Sequence, residues 1–292
     1  MGLVSFRPRA LSAPWTRYSI RMPLSHLEGR EYEAELSITE QAIRNFVNAT
    51  SDDGRRWVHH APPSFAAAAL FAVAPEFLFD EAVGAYSTML IHADQLFEFH
   101  SPFEVGMELD ITARVERVRM RSDVAWVTFA AAVAAGGESV VDSSSVFLMS
   151  ATSPPAVSDP RPEPGPHARR RVDRPGGLII RKSASRSDLV RYAAASRDFN
   201  PLHWDHDSAV TAGLPGVVVH GLLTAAWATQ VIPPGPNAVM PVKSVRYRFS
   251  QPVLPNDQLV IAGSVPEDGK MQVTVTTEGA KNPAVTGSFE LE

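Results

Sequence analysis

Residues 196–206 read SRDFNPLHWDH and gather Asp198, Asn200, Pro201 and His203 into one polar turn. After a short gap, GVVVHGLLTAAW at 216–227 opens an apolar stretch with His220 and Gly221. A carboxylate and an imidazole are side chains suited to moving protons near neutral pH. Pro201 fixes φ and denies a helix between Asp198 and His203, so the turn can aim both at one water. Asn200 suits a residue that holds such a turn by bonding to nearby backbone. Gly221 stands at the expected first turn of a helix, where unpaired N–H groups and the positive end of the helix dipole point outward. Having no side chain, it lets an oxygen approach its N–H closely.

Plainer readings compete with each of these. Asp198 alone could be a turn former and His203 a satisfied core histidine. His203, Asp205, His206 and Asp207 offer metal-ligand types but read as a solvated polar loop. The ARRR run at 168–171 could meet phosphates, yet a basic run in a proline-rich segment is usually solvated. Arg246 and Arg248, on the polar face of a strand, suit phosphate contact better.

The elements that must position these residues come in two sets. Residues 152–177 are rich in proline and poor in apolar side chains, which marks a linker. It separates a first half, 30–151, from a second, 178–292, and a tail, 1–29, precedes both. The halves repeat one another. FEFHSPFEVGMELDITARV at 97–115 aligns without gaps on YRFSQPVLPNDQLVIAGSV at 247–265, each alternating, turning and alternating again as strand, turn, strand. SITEQAIRNFVNATSDD at 37–53 lies over SASRSDLVRYAAASRDF at 183–199 with the same helical spacing. Longer helices are expected over 63–73 and 220–231. Period-two alternation in VKSVRYRFS, QLVIAGSV, MQVTVTTEG and AVTGSFELE predicts late strands. Each half is therefore α+β, one long helix against an antiparallel sheet, and two such units could pair their sheets edge to edge without a second subunit.

Bulk properties narrow the function classes. The chain has 292 residues and a net charge of −5, which gives no reason to expect a nucleic-acid partner. Cysteine is absent, which excludes disulfides, thiolate ligands and a cysteine nucleophile, and fits the cytoplasm. The longest apolar run, FAAAALFAVA at 65–74, falls far short of the ~20 residues a membrane-spanning helix needs, so no membrane insertion is expected. Residues 1–27 carry Arg7, Arg9, Arg17 and Arg21 and no acidic residue, a bias shared with transit peptides that leaves the mitochondrial matrix as a second compartment.

The run DFNPLHWDHDSAVTAGLPGVVVHGLLTAA resembles the signature of the MaoC-like (R)-specific enoyl-CoA hydratases and 3-hydroxyacyl-thioester dehydratases, D-x-N-P-x-H followed by an H-G helix start. That resemblance implies a double hot dog fold and reversible hydration of a trans-2-enoyl thioester to an (R)-3-hydroxyacyl thioester. It makes Asp198 and His203 the acid–base pair, and Gly221 the donor to the thioester oxygen. Thr229 falls where some relatives carry a hydroxyl near the thioester. The substrate would be an acyl-CoA or acyl-carrier-protein thioester. No metal or other cofactor is implied, and the chain would act as a monomeric pseudo-dimer or a homodimer. A non-catalytic thioester-binding scaffold and a hot dog thioesterase are the alternatives. The first half departs from the pattern: Asp52 matches Asp198, but Gly54 replaces Asn200, Trp57 replaces His203, and PPSF stands near the place of VVHG, with His59 and His60 close by. This copy is expected to have lost catalysis, with the small residues at 66–69 leaving room for an acyl chain.

Overall fold

The alternating stretches form antiparallel strands, and the Ala- and Leu-rich stretches form helices laid against them. The computed structural model describes residues 24–152, 178–233, 239 and 241–292. The arginines at positions 7, 9, 17 and 21 and the proline-rich segment from 153, with its ARRR run, lie outside the described residues. The first half runs β1 (Glu31–Ser37), α1 (Glu40–Ala49), α2 (Ala66–Leu78), the short α3 (Glu81–Gly84), β2 (Met89–Phe99), β3 (Glu108–Arg121), β4 (Val124–Ala135) and β5 (Glu138–Ser150). The second runs β6 (Ile179–Lys182), α4 (Arg186–Ser196), α5 (His206–Thr211), α6 (Gly221–Thr229), β7 (Val242–Phe249), β8 (Leu259–Gly263), β9 (Lys270–Thr277) and β10 (Val285–Leu291).

All ten strands form one sheet, in the order β1-β3-β4-β5-β2-β7-β10-β9-β8-β6. Read from either edge the order is the same under the repeat, with β6 to β10 standing for β1 to β5. The halves meet where β2 and β7 pair antiparallel, Gln95 opposite Tyr247 and Phe97 opposite Val245. Leu96 and Arg246, equivalent in the repeat, face each other at the centre of that seam, so the pseudo-twofold axis passes between them. The fold is the α+β double hot dog. Arg246 and Arg248 close over the seam, with Nε at 3.0 and 3.9 Å from the Asp94 carboxylate.

Each long helix packs on the sheet of its own half and also touches the other half, α2 at α4 and α6 at the 3-10 turn Pro63–Phe65. α2 packs on β1 and β3, and α6 on β8, β9 and β10. α2 starts after a 3-10 turn at Pro63–Phe65 and continues through Pro75, past the expected end at 73. Pro75 removes one N–H from the helix, and burial of Phe77 and Leu78 beyond it offsets that cost. The halves are also joined at the end of α1, where the Thr50 carbonyl accepts from Trp227 Nε1 and Gln230 Nε2, both at 3.0 Å. Lys182 Nζ donates to the adjacent Ser51 carbonyl at 2.8 Å. Among the described residues no helix is long and apolar enough to cross a membrane.

Candidate active site

The polar turn is built from the end of α4. A capping box between Ser185 and Asp188 starts that helix, and Arg197, in the left-handed conformation at φ 65°, stops it. Ser196 Oγ donates to the Tyr192 carbonyl at 2.8 Å, and the chain then turns Asp198 inward, leaving it 5% exposed. Asn200 takes both sides of the turn: its N–H donates to Asp198 Oδ1 at 3.3 Å, and its Oδ1 accepts from the Leu202 N–H at 3.2 Å. Asn200 thereby caps the 3-10 turn Pro201–His203 that delivers the imidazole.

His203 Nδ1 lies 2.9 Å from the Val218 carbonyl, which can only accept, so the proton sits on Nδ1 and the Nε2 lone pair is free. That Nε2 faces Asp198 Oδ2 across 3.9 Å, too long for a direct hydrogen bond and close enough for one water to touch both. Burial pushes the Asp198 carboxyl above the usual carboxylate range, opposed in part by His203 and the Asn200 N–H. His220 stacks on His203, ring centroids 3.8 Å apart and planes 26° apart. Burial, reinforced by His203, holds the His220 ring well below the ordinary histidine range.

Gly221 is the first residue of α6, so its N–H has no partner within the helix. A Cβ at Gly221 would stand 3.1 Å from the Phe249 ring, so that ring would have to give way to any other residue here. Asp198, Asn200, His203 and Gly221 line one cavity of about 310 Å³. Thr229 is not among its walls. Its hydroxyl donates to the Ala226 carbonyl at 2.8 Å, against a void of about 10 Å³ further along α6. Thr224, one helical turn from Gly221, lines the cavity instead and donates to the Gly221 carbonyl at 2.6 Å. Asp205, His206 and Asp207 do not converge with His203 on a common point. The Asp205 carboxylate caps α5, accepting from the N–H and hydroxyl of Ser208. The set that does converge is Asp198, His203 and His220, with ligand atoms within 4.8 Å. The stacked rings hold their lone pairs in nearly parallel planes, which does not direct them at one ion.

The first half completes the cavity. Phe71, Leu78, Leu90, His92 and Phe147 form the wall facing the second half. Phe71, Leu78 and Leu90 also line a groove of about 570 Å³ that leads away past Pro75, Phe79 and Phe199. Sequence reasoning missed His92. It precedes a β-bulge in β2 that reorients the strand, and its ring sits between Phe147 and Phe249. Burial lowers its pKa to about 4, so it is neutral near pH 7. The small residues at 66–69 do not line this cavity. Ala66, Ala67, Ala68 and Ala69 are buried in helix packing, and α2 meets the cavity further along, at Phe71 and Leu78.

At the matching position of the first half, Trp57 Nε1 donates directly to Asp52 Oδ2 at 2.9 Å, and the Asp53 N–H donates to Oδ1 at 2.7 Å. Burial raises the Asp52 carboxyl as it does Asp198. Neither Asp52 nor Trp57 lines the cavity or the groove. His59 and His60 are engaged with the 104–105 segment: the His59 carbonyl accepts from the Val105 N–H, and His60 Nε2 lies 3.6 Å from Glu104.

Comparison with known proteins matches two separate stretches of the chain. Residues 166–286 match the MaoC-like domain family, and 27–143 match the FAS1-like dehydratase domain region. The (R)-specific enoyl-CoA hydratase of Rhodospirillum rubrum is 33% identical over 95 residues, 30% of this chain and 65% of that protein. The 3-hydroxyacyl-thioester dehydratase X of Mycobacterium tuberculosis is 28% identical over 166 residues, 56% of this chain and 55% of the relative. The chain thus spans about half to two thirds of the length of these curated relatives. A solved MaoC-like dehydratase shares the fold at a TM-score of 0.71 and 20% identity, over 92% of this chain and 99% of the other.

Proposed function

We propose, for a chain whose residues 166–286 match the MaoC-like domain family, that it interconverts a trans-2-enoyl thioester and its (R)-3-hydroxyacyl thioester at a single site in its second half. The observation that carries this reading is the 3.9 Å gap between Asp198 Oδ2 and His203 Nε2, opening on a cavity that also presents the Gly221 N–H.

In the hydration direction a water held in that gap gives a proton to His203 Nε2 as its oxygen bonds to C3 of the enoyl group. Asp198, whose carboxyl burial favours the protonated form, supplies the proton that C2 gains as the C2–C3 double bond opens. The negative charge that builds on the thioester oxygen meets the Gly221 N–H at the positive end of α6. His203 then carries a proton and Asp198 lacks one, and transfer through the next water across the same gap restores both. Water and proton arrive from one side of the substrate because both groups lie on one wall. The (R) configuration rests on the sequence motif and on the relative of that name.

The acyl tail runs along Phe71, Leu78 and Leu90 into the groove, so the first half, 30–151, serves the second, 178–292, as a binding wall. The thioester is carried by CoA or an acyl carrier protein. The β2–β7 seam supplies within one chain the sheet pairing that a dimer would otherwise provide, and the protein works as a monomeric pseudo-dimer. The cysteine-free composition suits the cytoplasm or the mitochondrial matrix. The test is incubation with a trans-2-enoyl-CoA, following loss of the conjugated enoyl absorbance, with a thiol reagent in a parallel sample. Loss of absorbance with an (R)-3-hydroxyacyl product and no free thiol is expected. Thiol release would make the protein a thioesterase, and binding without either change would make it a scaffold.

A further inference from the structure

The residue preceding Gly221 has no role in the proposed reaction, yet it contacts both the Asp198 backbone and the His203 ring. His220 is fully buried, at 0% exposure. Its Nε2 lies 3.2 Å from the backbone carbonyl of Asp198. A carbonyl only accepts, so Nε2 carries the hydrogen. The face of its ring lies on the His203 ring at 3.8 Å, and Tyr192 backs it edge-on at 5.0 Å. His220 also occupies the N-cap position of α6, immediately before the Gly221 N–H, and its side chain makes no capping hydrogen bond. N-caps favour Ser, Thr, Asp or Asn, whose oxygens satisfy the helix N–H groups. An imidazole that leaves those groups alone is not there for the helix. Its Nδ1 has no hydrogen-bond partner among the described residues, a cost that packing alone does not require, since phenylalanine would fill similar space without it.

We propose that His220 is a positioning residue, which fixes the Asp198 backbone through its Nε2–H, fixes the His203 ring by stacking, and joins both to the Gly221 N–H through the chain. The proposal rests on the hydratase reading and deepens it. Asp198 and His203 lie on one side of a loop of more than a dozen residues from Gly221; the Val218 carbonyl holds His203 Nδ1 across it, and His220 adds the bridge that reaches the Asp198 backbone and the His203 ring together. Held neutral by burial, it does not compete for the proton that His203 receives.

Two substitutions in the full chain separate its contacts. His220→Gln keeps an N–H donor for the Asp198 carbonyl and loses the ring, whereas His220→Phe keeps a ring and loses the donor. Each is expected to lower kcat by about tenfold or more and to leave KM within about threefold, because misaligned acid–base groups weaken the transition state more than substrate binding. Turnover within about threefold of the parent in both folded variants overturns the proposal. Should either fail to fold, ring-nitrogen NMR of the parent protein decides. The expected spectrum has His220 as the Nε2–H tautomer, unchanged between about pH 5 and 8, with His203 as the Nδ1–H tautomer. A His220 that carries its proton on Nδ1, or titrates in that range, overturns it. A parent protein that hydrates no enoyl thioester removes the hydratase reading instead, and the same spectrum still decides whether His220 holds the pair.

Discussion

Asp198 and Asp52 occupy equivalent places in two copies of one fold, and burial raises both carboxyls. What separates them is the residue five positions on. Opposite Asp198 stands an imidazole whose lone pair faces a 3.9 Å gap; opposite Asp52 stands an indole N–H that closes the gap to 2.9 Å. An indole donates and cannot accept, so it cannot take a proton from water, and its bond leaves no room for one. The loop that holds an open Asp198–His203 gap in the second half is closed by a structural hydrogen bond in the first. The first half has the same fold and turns one wall toward its neighbour, contributing Phe71, Leu78, Leu90 and His92 to a cavity that Asp198 and His203 line from the other copy.

The comparison breaks most visibly at the paired positions themselves. His203→Ala should lower kcat by at least about a hundredfold with the fold retained, the usual scale of a lost acid–base group. Its mirror, Trp57→Phe, removes only a structural bond and should leave kcat within a few-fold; steady-state kinetics on one enoyl thioester reads both. Equal losses would mean that the first half takes part in the chemistry.

A second expectation concerns the half-buried histidine that the first half contributes to the cavity wall. The unfolded chain protonates His92 as pH falls below about 6.5, whereas the folded protein resists until about 4. Its folded-state pKa is depressed, so the stability tied to its neutral form is fully present above about 6.5 and is lost as pH falls toward 4. The full loss is on the order of 3 kcal/mol. His220, also held low, adds a loss of the same sign. His92→Phe should therefore lose less stability than the parent between pH 7 and 4.5 in urea unfolding. Parallel losses in the two proteins would show that His92 is not held neutral by the fold.

The smallest effect is on selectivity. Leu90 lies where the cavity meets the groove, and Leu90→Trp should narrow that junction. We expect kcat/KM for long acyl thioesters to fall about tenfold relative to a four-carbon substrate, a penalty near that of one badly placed side chain. An unchanged ratio would place the acyl tail elsewhere.

Much of this was legible in the sequence because it rests on local pattern. Period-two alternation marked the strands, and the gapless match of 97–115 to 247–265 marked two units able to pair edge to edge, which they do with Leu96 opposite Arg246. The polar turn could be read from Asp198 to His203 because Pro201 and Asn200 dictate its backbone. Thr229 was misplaced for a reason helix geometry supplies. Eight residues at 1.5 Å each carry it about 12 Å along the axis from Gly221, whereas Thr224 stays within one turn. The small side chains at 66–69 suggested space, but small residues equally permit close packing, which is what they do here. The path beside them follows Phe71, Pro75 and Leu78, a single helical face visible from the spacing alone. His92 had no local signal. A β-bulge and the packing of two distant aromatic rings place it, and neither is written near it in the sequence.

The central claim is that one chain holds one hydration site, and turnover of a trans-2-enoyl-CoA by Asp198→Asn, Asp52→Asn and the double variant tests it most directly. Asp198→Asn should keep under about 1% of the parental kcat, in line with the loss of an acid–base group. Asp52→Asn should stay within a few-fold of the parent, and the double variant should match Asp198→Asn. If Asp198→Asn instead keeps about half of the parental turnover and adding Asp52→Asn removes the remainder, both halves are catalytic and the asymmetry between Trp57 and His203 does not decide the function.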